Sequence, residues 1–327
     1  MSTLPHLHTL FFGKLPSRGD FVRSLPGSPL IENIDQWLSQ TMQLMAEDPR
    51  WKITYDAAAP VHFAIMGAQS HAGLVGHLNC SHDEAGRRYP FVLAATFDVF
   101  KPANFLPLSP AALIPMWQQL EGGVRQGVQA ADFGSVQDTL LAQKLEMSDD
   151  TIAMRDLFRH NAQLLSVEEF EAAIFEPDQA RSFRQTALAL GLLLQPVLAQ
   201  GHTGLSKALV LPLARQASLL PLSISVWVNM VARFFKRTTA ELALFVTSQR
   251  DRPILIIGFQ GASPQTLVTV LDAQACEAEN VQIAEAAWVE DWLESEYSIR
   301  KLSNALRDPS VSLSMAVDLF RETFLGD

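Results

Sequence analysis

Imidazole, thiol and carboxylate groups crowd one short stretch of this chain. His71, His77, Cys80, His82 and Asp83 fall within thirteen residues, and all three group types are suitable zinc ligands. Such a cluster could serve a metal-dependent hydrolase. The spacing argues otherwise: there is no HExxH, and no second Cys or His pair stands at a fixed interval to close a tetrahedron. Residues of hairpin turns are the simpler expectation. Acyl-transfer chemistry fares no better, because no GxSxG elbow occurs and Ser70 in GAQSHAG has its flanking glycines too far away. The run Gly201-His-Thr-Gly-Leu-Ser-Lys207 lacks the GxxxxGK spacing that converges backbone amides and a lysine on phosphate.

Two other segments combine residue types that fix a backbone and present charge. One is Gly13-Lys-Leu-Pro-Ser-Arg-Gly-Asp-Phe-Val-Arg23; the second is Ser81-His-Asp-Glu-Ala-Gly-Arg-Arg-Tyr-Pro-Phe91. Each has Gly for unusual angles, Pro for stiffness and an Asp close to an Arg. Loops of this kind often hold themselves together through Asp–backbone and Asp–Arg bonds. Alternatively, they lie side by side at one end of a sheet and form a recognition surface. In that arrangement Asp20 is expected to pair with Arg87 or Arg88. Charge reversal at Lys14 or Arg18 is expected to weaken partner capture.

The elements that position these loops follow from periodicity and punctuation. His6–Gly13 reads as a strand, and Ser28-Pro29 starts a helix that runs to about Ala46. Val61–Met66, Gly73–Leu78 and Tyr89–Val99 read as strands joined by tight turns, which favours antiparallel pairing. Ser109-Pro110 repeats the helix-start signature, Ser166-Val-Glu-Glu169 fits a capping box, and residues 179–200 are apolar nearly all round, as in a buried helix. Ala208–Leu213, Leu242–Thr247 and Ile254–Phe259 are further strands, with a helix near Ser223–Phe235, a turn at Arg250–Pro253 and a helix start at Ser263-Pro264. Adjacent strands without strict βα alternation predict an α+β fold, an antiparallel sheet flanked by helices. One body is expected over 1–273, with a motif-bearing half of about 1–130 and a distal half of about 131–273. An acidic helical tail, 274–327, follows.

The chain has 327 residues, 48% hydrophobic and 18% charged, which excludes disorder as its main state. Its formal net charge is −10 and its pI about 5.3, so nonspecific nucleic-acid binding, which needs clustered cations, is not expected. From Asp272 onward there are twelve acidic and four basic residues, which suggests a separate terminal segment or a face that meets something basic. Two cysteines 196 positions apart give no disulfide framework. With no signal-like N-terminus and no apolar run near membrane-span length, a soluble cytoplasmic protein is expected. Arg18-Gly19-Asp20 spells an adhesion tripeptide, which is coincidence in such a chain.

Phe12–Arg23, FGKLPSRGDFVR, resembles the opening motif of the type VI secretion-associated TagF/ImpM family, an aromatic-Gly-Lys-Pro-rich turn leading to Gly-Asp-Phe. Asp35, Trp37 and Leu38 are similar to its Asp-x-Trp-Leu pattern, and Ser81, Asp83, Gly86, Arg87, Tyr89 and Pro90 to its Ser-x-Asp-x-x-Gly-Arg-x-aromatic-Pro block. Ser225–Trp227 and the two strands after it look like the family's distal portion, so the likeness runs from about residue 7 to 273. The chain departs from the pattern at Ala85 and Phe91, and it lacks a tryptophan shortly before Phe63. The resemblance implies a longin- or profilin-like first half. It also implies a non-catalytic cytoplasmic regulator, without cofactor or metal, that represses type VI secretion after translation. The implied partner is the forkhead-associated (Fha) scaffold or another component of the apparatus. On this reading Gly13, Lys14, Pro16, Arg18, Gly19, Asp20, Phe21, Ser81, Asp83, Gly86 and Arg87 organise the contact surface. The alternatives are the metal-dependent hydrolase using the His71–Asp83 cluster, and a structural adaptor that binds through its acidic tail.

Overall fold

The computed structural model describes residues 6–177, 181–200, 205–292 and 296–326. In chain order these form β1 (His6–Gly13), β2 (Val22–Arg23), α1 (Pro29–Met45), α2 (Trp51–Ala57), β3 (Val61–Gly67), β4 (Ala72–Asn79), β5 (Phe91–Asp98), α3 (Pro102–Phe105) and α4 (Pro110–Gln129). Next come α5 (Gly134–Ala142), β6 (Lys144–Glu146), α6 (Thr151–Gln163), α7 (Val167–Ile174), α8 (Phe183–Gln200), β7 (Leu209–Pro212) and α9 (Leu220–Ala232). The chain finishes with β8 (Glu241–Gln249), β9 (Arg252–Gly258), α10 (Pro264–Leu271), α11 (Ala273–Glu279), β10 (Val281–Gln282), α12 (Tyr297–Ala305) and α13 (Leu313–Leu325).

Alternation along the strands produces three layers. Leu10 and Phe12 of β1, Phe63 and Ile65 of β3, and Val92 and Ala94 of β5 face one core. Their neighbours Phe11, Ala64, Met66, Phe91, Leu93 and Ala95 face a second, larger core. Because side chains alternate with a period of two, strands apolar on both phases must be covered on both faces. The first face is covered by α1, which buries Ile31, Ile34, Trp37, Leu38 and Met45 at helical spacing, together with α10. The second is covered first by α4, which packs on β3, β4 and β5, and residues of α8, α9 and α13 extend the same core. Full burial of side chains such as Phe63, Phe245 or Ile256 stabilises the fold by roughly 2 kcal/mol each.

The fold is α+β, with a mostly antiparallel sheet in the order β10-β7-β9-β8-β3-β4-β5-β1-β2, and β6 paired with β1. The strand-rich halves share this one sheet. β3 pairs antiparallel with β8, from His62 opposite Val246 to Gly67 opposite Glu241. The predicted turn at Arg250–Pro253 is a two-residue hairpin in which Arg250 and Asp251 have φ of 49° and 61°, the left-handed geometry that matches strand twist.

Several terminus signals act as read. Ser166 and Glu169 form the reciprocal capping box of α7, and Ser263 caps α10. Ser28 and Ser109 precede helices but do not cap them; the Ser109 hydroxyl donates to the Leu106 carbonyl instead. The expected helix over 179–200 is α8, with Leu188, Leu190 and Leu194 fully buried; residues 178–180 lie outside the described ones. The segment from 274 onward, expected as an acidic helical tail, also contributes β10, which pairs parallel with β7 at the sheet edge. Its helices are packed rather than pendant: Ile299, Leu302, Leu313, Phe320 and Phe324 belong to the larger core.

Candidate functional site

The two glycine-bearing loops meet at the end of β1 and β5. β1 ends at Gly13, whose φ is +136°. A Cβ there would stand 2.0 Å from the Pro90 carbonyl oxygen, so only glycine lets the first loop leave the sheet so close to the second. Leu15 is fully buried and pins the loop from below, while Pro16 is half-buried in the turn that Arg18 closes by donating its N–H to the Leu15 carbonyl. Phe21 returns toward the sheet, stacked on Phe12 with ring centroids 5.5 Å apart and edge-on to Tyr89 at 4.8 Å. The Tyr89 hydroxyl donates to Asp35 Oδ1 at 2.9 Å, which ties α1 to the site.

Asp83 is the centre of the arrangement. Its side chain is wholly buried and accepts from Lys14 Nζ at 2.9 Å and Arg87 Nε at 2.7 Å, both on Oδ2. Oδ1 accepts the backbone N–H groups of Ala85 and Arg87 at 3.1 and 2.9 Å. Burial alone raises this carboxyl, but the donors from Lys14 and from the backbone and side chain of Arg87 outweigh it. They hold it well below the usual carboxylate range. With four donors on two oxygens, Asp83 has no capacity left to act as a base or metal ligand. Lys14, itself buried, also lies 4.9 Å above the Phe21 ring.

The loops are joined twice more. Arg87 Nη2 donates to the Gly19 carbonyl at 2.7 Å, and the Glu84 N–H donates to the Arg18 carbonyl at 3.0 Å. Gly86 turns the second loop at φ +75°. The backbone N–H of Ser81 donates to the Tyr55 hydroxyl, which donates in turn to the Ser81 carbonyl.

This geometry corrects the expected cross-loop ion pair. Asp20 accepts from the Phe21 N–H, Arg87 is engaged with Asp83 and Gly19, and Arg88 makes a two-pronged bond to Asp56. The ion pair that does cross between the loops is Lys14–Asp83. Lys14 and Ser81 are therefore interior residues, whereas Arg18, Gly19, Asp20, Glu84, Gly86 and Arg87 are exposed on one ridge. Arg18 reaches outward to Asp132 at 3.1 Å. Tyr55, Asp56 and Asp132 belong to the site and carry no motif of their own. Tyr55 and Asp56 sit on the short α2, whose two turns leave too little periodicity to reveal it.

The histidine stretch does not converge. His77 packs on the larger-core side against His62, Nδ1 to Nδ1 at 2.9 Å, below Trp117. His71 bonds the Val99 carbonyl and His82 the Asp83 carbonyl. Burial pushes the Cys80 thiol up to about 12, which leaves it protonated and a poor ligand at neutral pH. Among the described residues no group of three His, Cys, Asp or Glu side chains is placed to hold a metal ion. The GHTGLSK run begins with residues 201–204, which lie outside the described ones.

Both motif loops fall inside a single recognised domain. Residues 11–143 match the family model described as the TagF N-terminal domain, type VI secretion system-associated. This segment is a TagF N-terminal domain. The segment likened to the family's distal portion, around Ser225–Trp227, lies beyond the matched residues. Among solved structures the chain is similar to the crystal structure of PA0076 from Pseudomonas aeruginosa PAO1, 16% identical, with a TM-score of 0.45, covering 81% of this chain and 94% of that one. No curated protein matches. The Lys14–Asp83–Arg87 clamp thus lies within the TagF domain, and among the described residues no helix is long and apolar enough to cross a membrane.

Proposed function

We propose that this TagF-domain protein is a non-catalytic, cytoplasmic repressor of type VI secretion that acts after translation by binding a protein of the apparatus, the forkhead-associated scaffold first among them. The observation that carries the reading is the clamp itself. A buried carboxylate saturated by four donors does no proton transfer, but it rigidifies two loops and holds an exposed ridge of both charge signs in one shape. Pre-ordered surfaces bind more tightly because less side-chain and loop freedom is lost on association.

The ridge is tested with Arg18→Glu and Glu84→Arg in the full chain, captured from lysate of its own organism with the secretion apparatus expressed. Exposed pairs such as Arg18–Asp132 contribute little to stability, so both variants fold. A type VI scaffold or baseplate protein is recovered with the wild type and depleted about tenfold or more by the variants, since charges facing like charges across an interface cost several kcal/mol. Wild-type capture without any type VI component, or undiminished capture by both variants, overturns the proposal. Lys14→Glu is no test of the surface, because it places two carboxylates in one buried site and unfolds the loops first.

A further inference from the structure

A second charged feature lies on other elements, away from the clamp. Where α6, α9 and α13 converge there is a cavity of about 310 Å³ lined by Arg155, Arg159, Arg233, Lys236 and Arg321, with Asp318 as its one acidic residue. Five cations gather there in a chain whose formal net charge is −10. Arg155, Arg159 and Lys236 are solvent-exposed, and their gathering carries a small repulsive cost when the cavity is empty. Arg155 and Arg159 stand four residues apart on one face of α6, a spacing at which like charges repel. Among the described residues neither they nor Lys236 has a carboxylate within ion-pair distance. Arg321 gives Nη1 to Asp318 at 3.0 Å, but its buried Nε has no acceptor. Arg233 is oriented by Asn229, whose Oδ1 accepts from Nε at 3.1 Å, and Asn229 is itself buried and bonded to the Pro107 carbonyl. A buried donor without an acceptor and three cations without counter-charges, facing one space, are together the complement of a multiply charged anion.

The walls narrow the class of ligand. Guanidinium forks match phosphate oxygens two at a time, and several of them around one cavity suit more than a single phosphate. The volume is at the lower end for small-molecule sites. Pro107, Leu108 and Phe158 line this cavity and also an adjoining apolar one of about 170 Å³, so charged and apolar subsites are contiguous. We propose that the cavity binds a small molecule carrying two or more phosphates on an apolar or aromatic body, the class to which nucleotides belong.

Isothermal titration of the full chain at physiological ionic strength, with ATP and with inorganic pyrophosphate, tests this. ATP saturates one site, and pyrophosphate, which lacks the body that reaches the apolar wall, binds about tenfold more weakly. Arg155→Ala/Arg159→Ala weakens ATP by about tenfold or more, whereas Arg125→Ala, which only loses an exposed pair with Glu121, leaves it unchanged. Lys236→Ala provides a second, single-site variant should the double one melt early. Absence of saturation with either probe at millimolar concentration overturns the site, as does equal ATP affinity in the folded double and Lys236 variants. Pyrophosphate binding as tightly as ATP overturns the apolar half of the assignment.

Discussion

Asp83 and His77 show opposite fates for titratable side chains that sequence alone placed in one candidate cluster. Asp83 keeps its charge in the interior because Lys14, Arg87 and two backbone amides surround it. For His77, burial, reinforced by nearby His62 and only partly offset by a hydrogen bond with Asn79, pushes the pKa down to about 3; burial also lowers His62. In the unfolded chain His77 titrates near its ordinary value, so between about pH 6.5 and 3 the unfolded state holds the extra proton. Stability is therefore fully present above pH 6.5 and falls with pH through that window, by on the order of 2 kcal/mol between pH 6.5 and 5. His77→Gln flattens this limb in urea midpoints measured from pH 7 to 5; an unchanged slope assigns the acid sensitivity elsewhere. The composition of both motif loops was legible in the sequence, but their pairing was not. Asp20 and Asp83 each precede or follow an arginine, and burial alone decides which carboxylate takes the cations.

Elements were legible where a period had room to repeat or a terminus carried its own chemistry. β1, α1, β3, β4 and β5 lie within a residue or two of the readings, because each has five or more residues of pattern. β2 and β10 have two residues each and α2 seven, too few to show a period, and they exist through tertiary pairing and the burial of Tyr55. The capping box of α7 is a purely local device, and its worth can be isolated. Ser166 accepts the Glu169 N–H while the Glu169 carboxylate accepts the Ser166 N–H. Ser166→Ala costs about 1 kcal/mol, seen as a lower urea midpoint with an unchanged slope.

For the molecule as a whole, the acidic segment is part of the structure it was expected to hang from. Deleting residues 274–327 removes Phe320 and Phe324 from the larger core and β10 from β7. The truncated chain is expected to bind a hydrophobic dye and lose its cooperative urea transition; a folded, cooperative product would show the tail to be dispensable. Such a deletion therefore cannot separate binding by the tail from binding by the body. The one-sheet arrangement also shapes how the protein is made. β3 finds β4 within a few residues, but its other edge waits for β8, which leaves the ribosome only after some 170 further residues have been added. At ordinary elongation rates that is roughly 10 to 30 seconds. For that interval the nascent TagF domain presents an open apolar strand edge, the kind that recruits other chains. Slowing translation between codons 70 and 240 should lengthen the window and increase co-translational aggregation or chaperone capture, with no change in the stability of the finished protein.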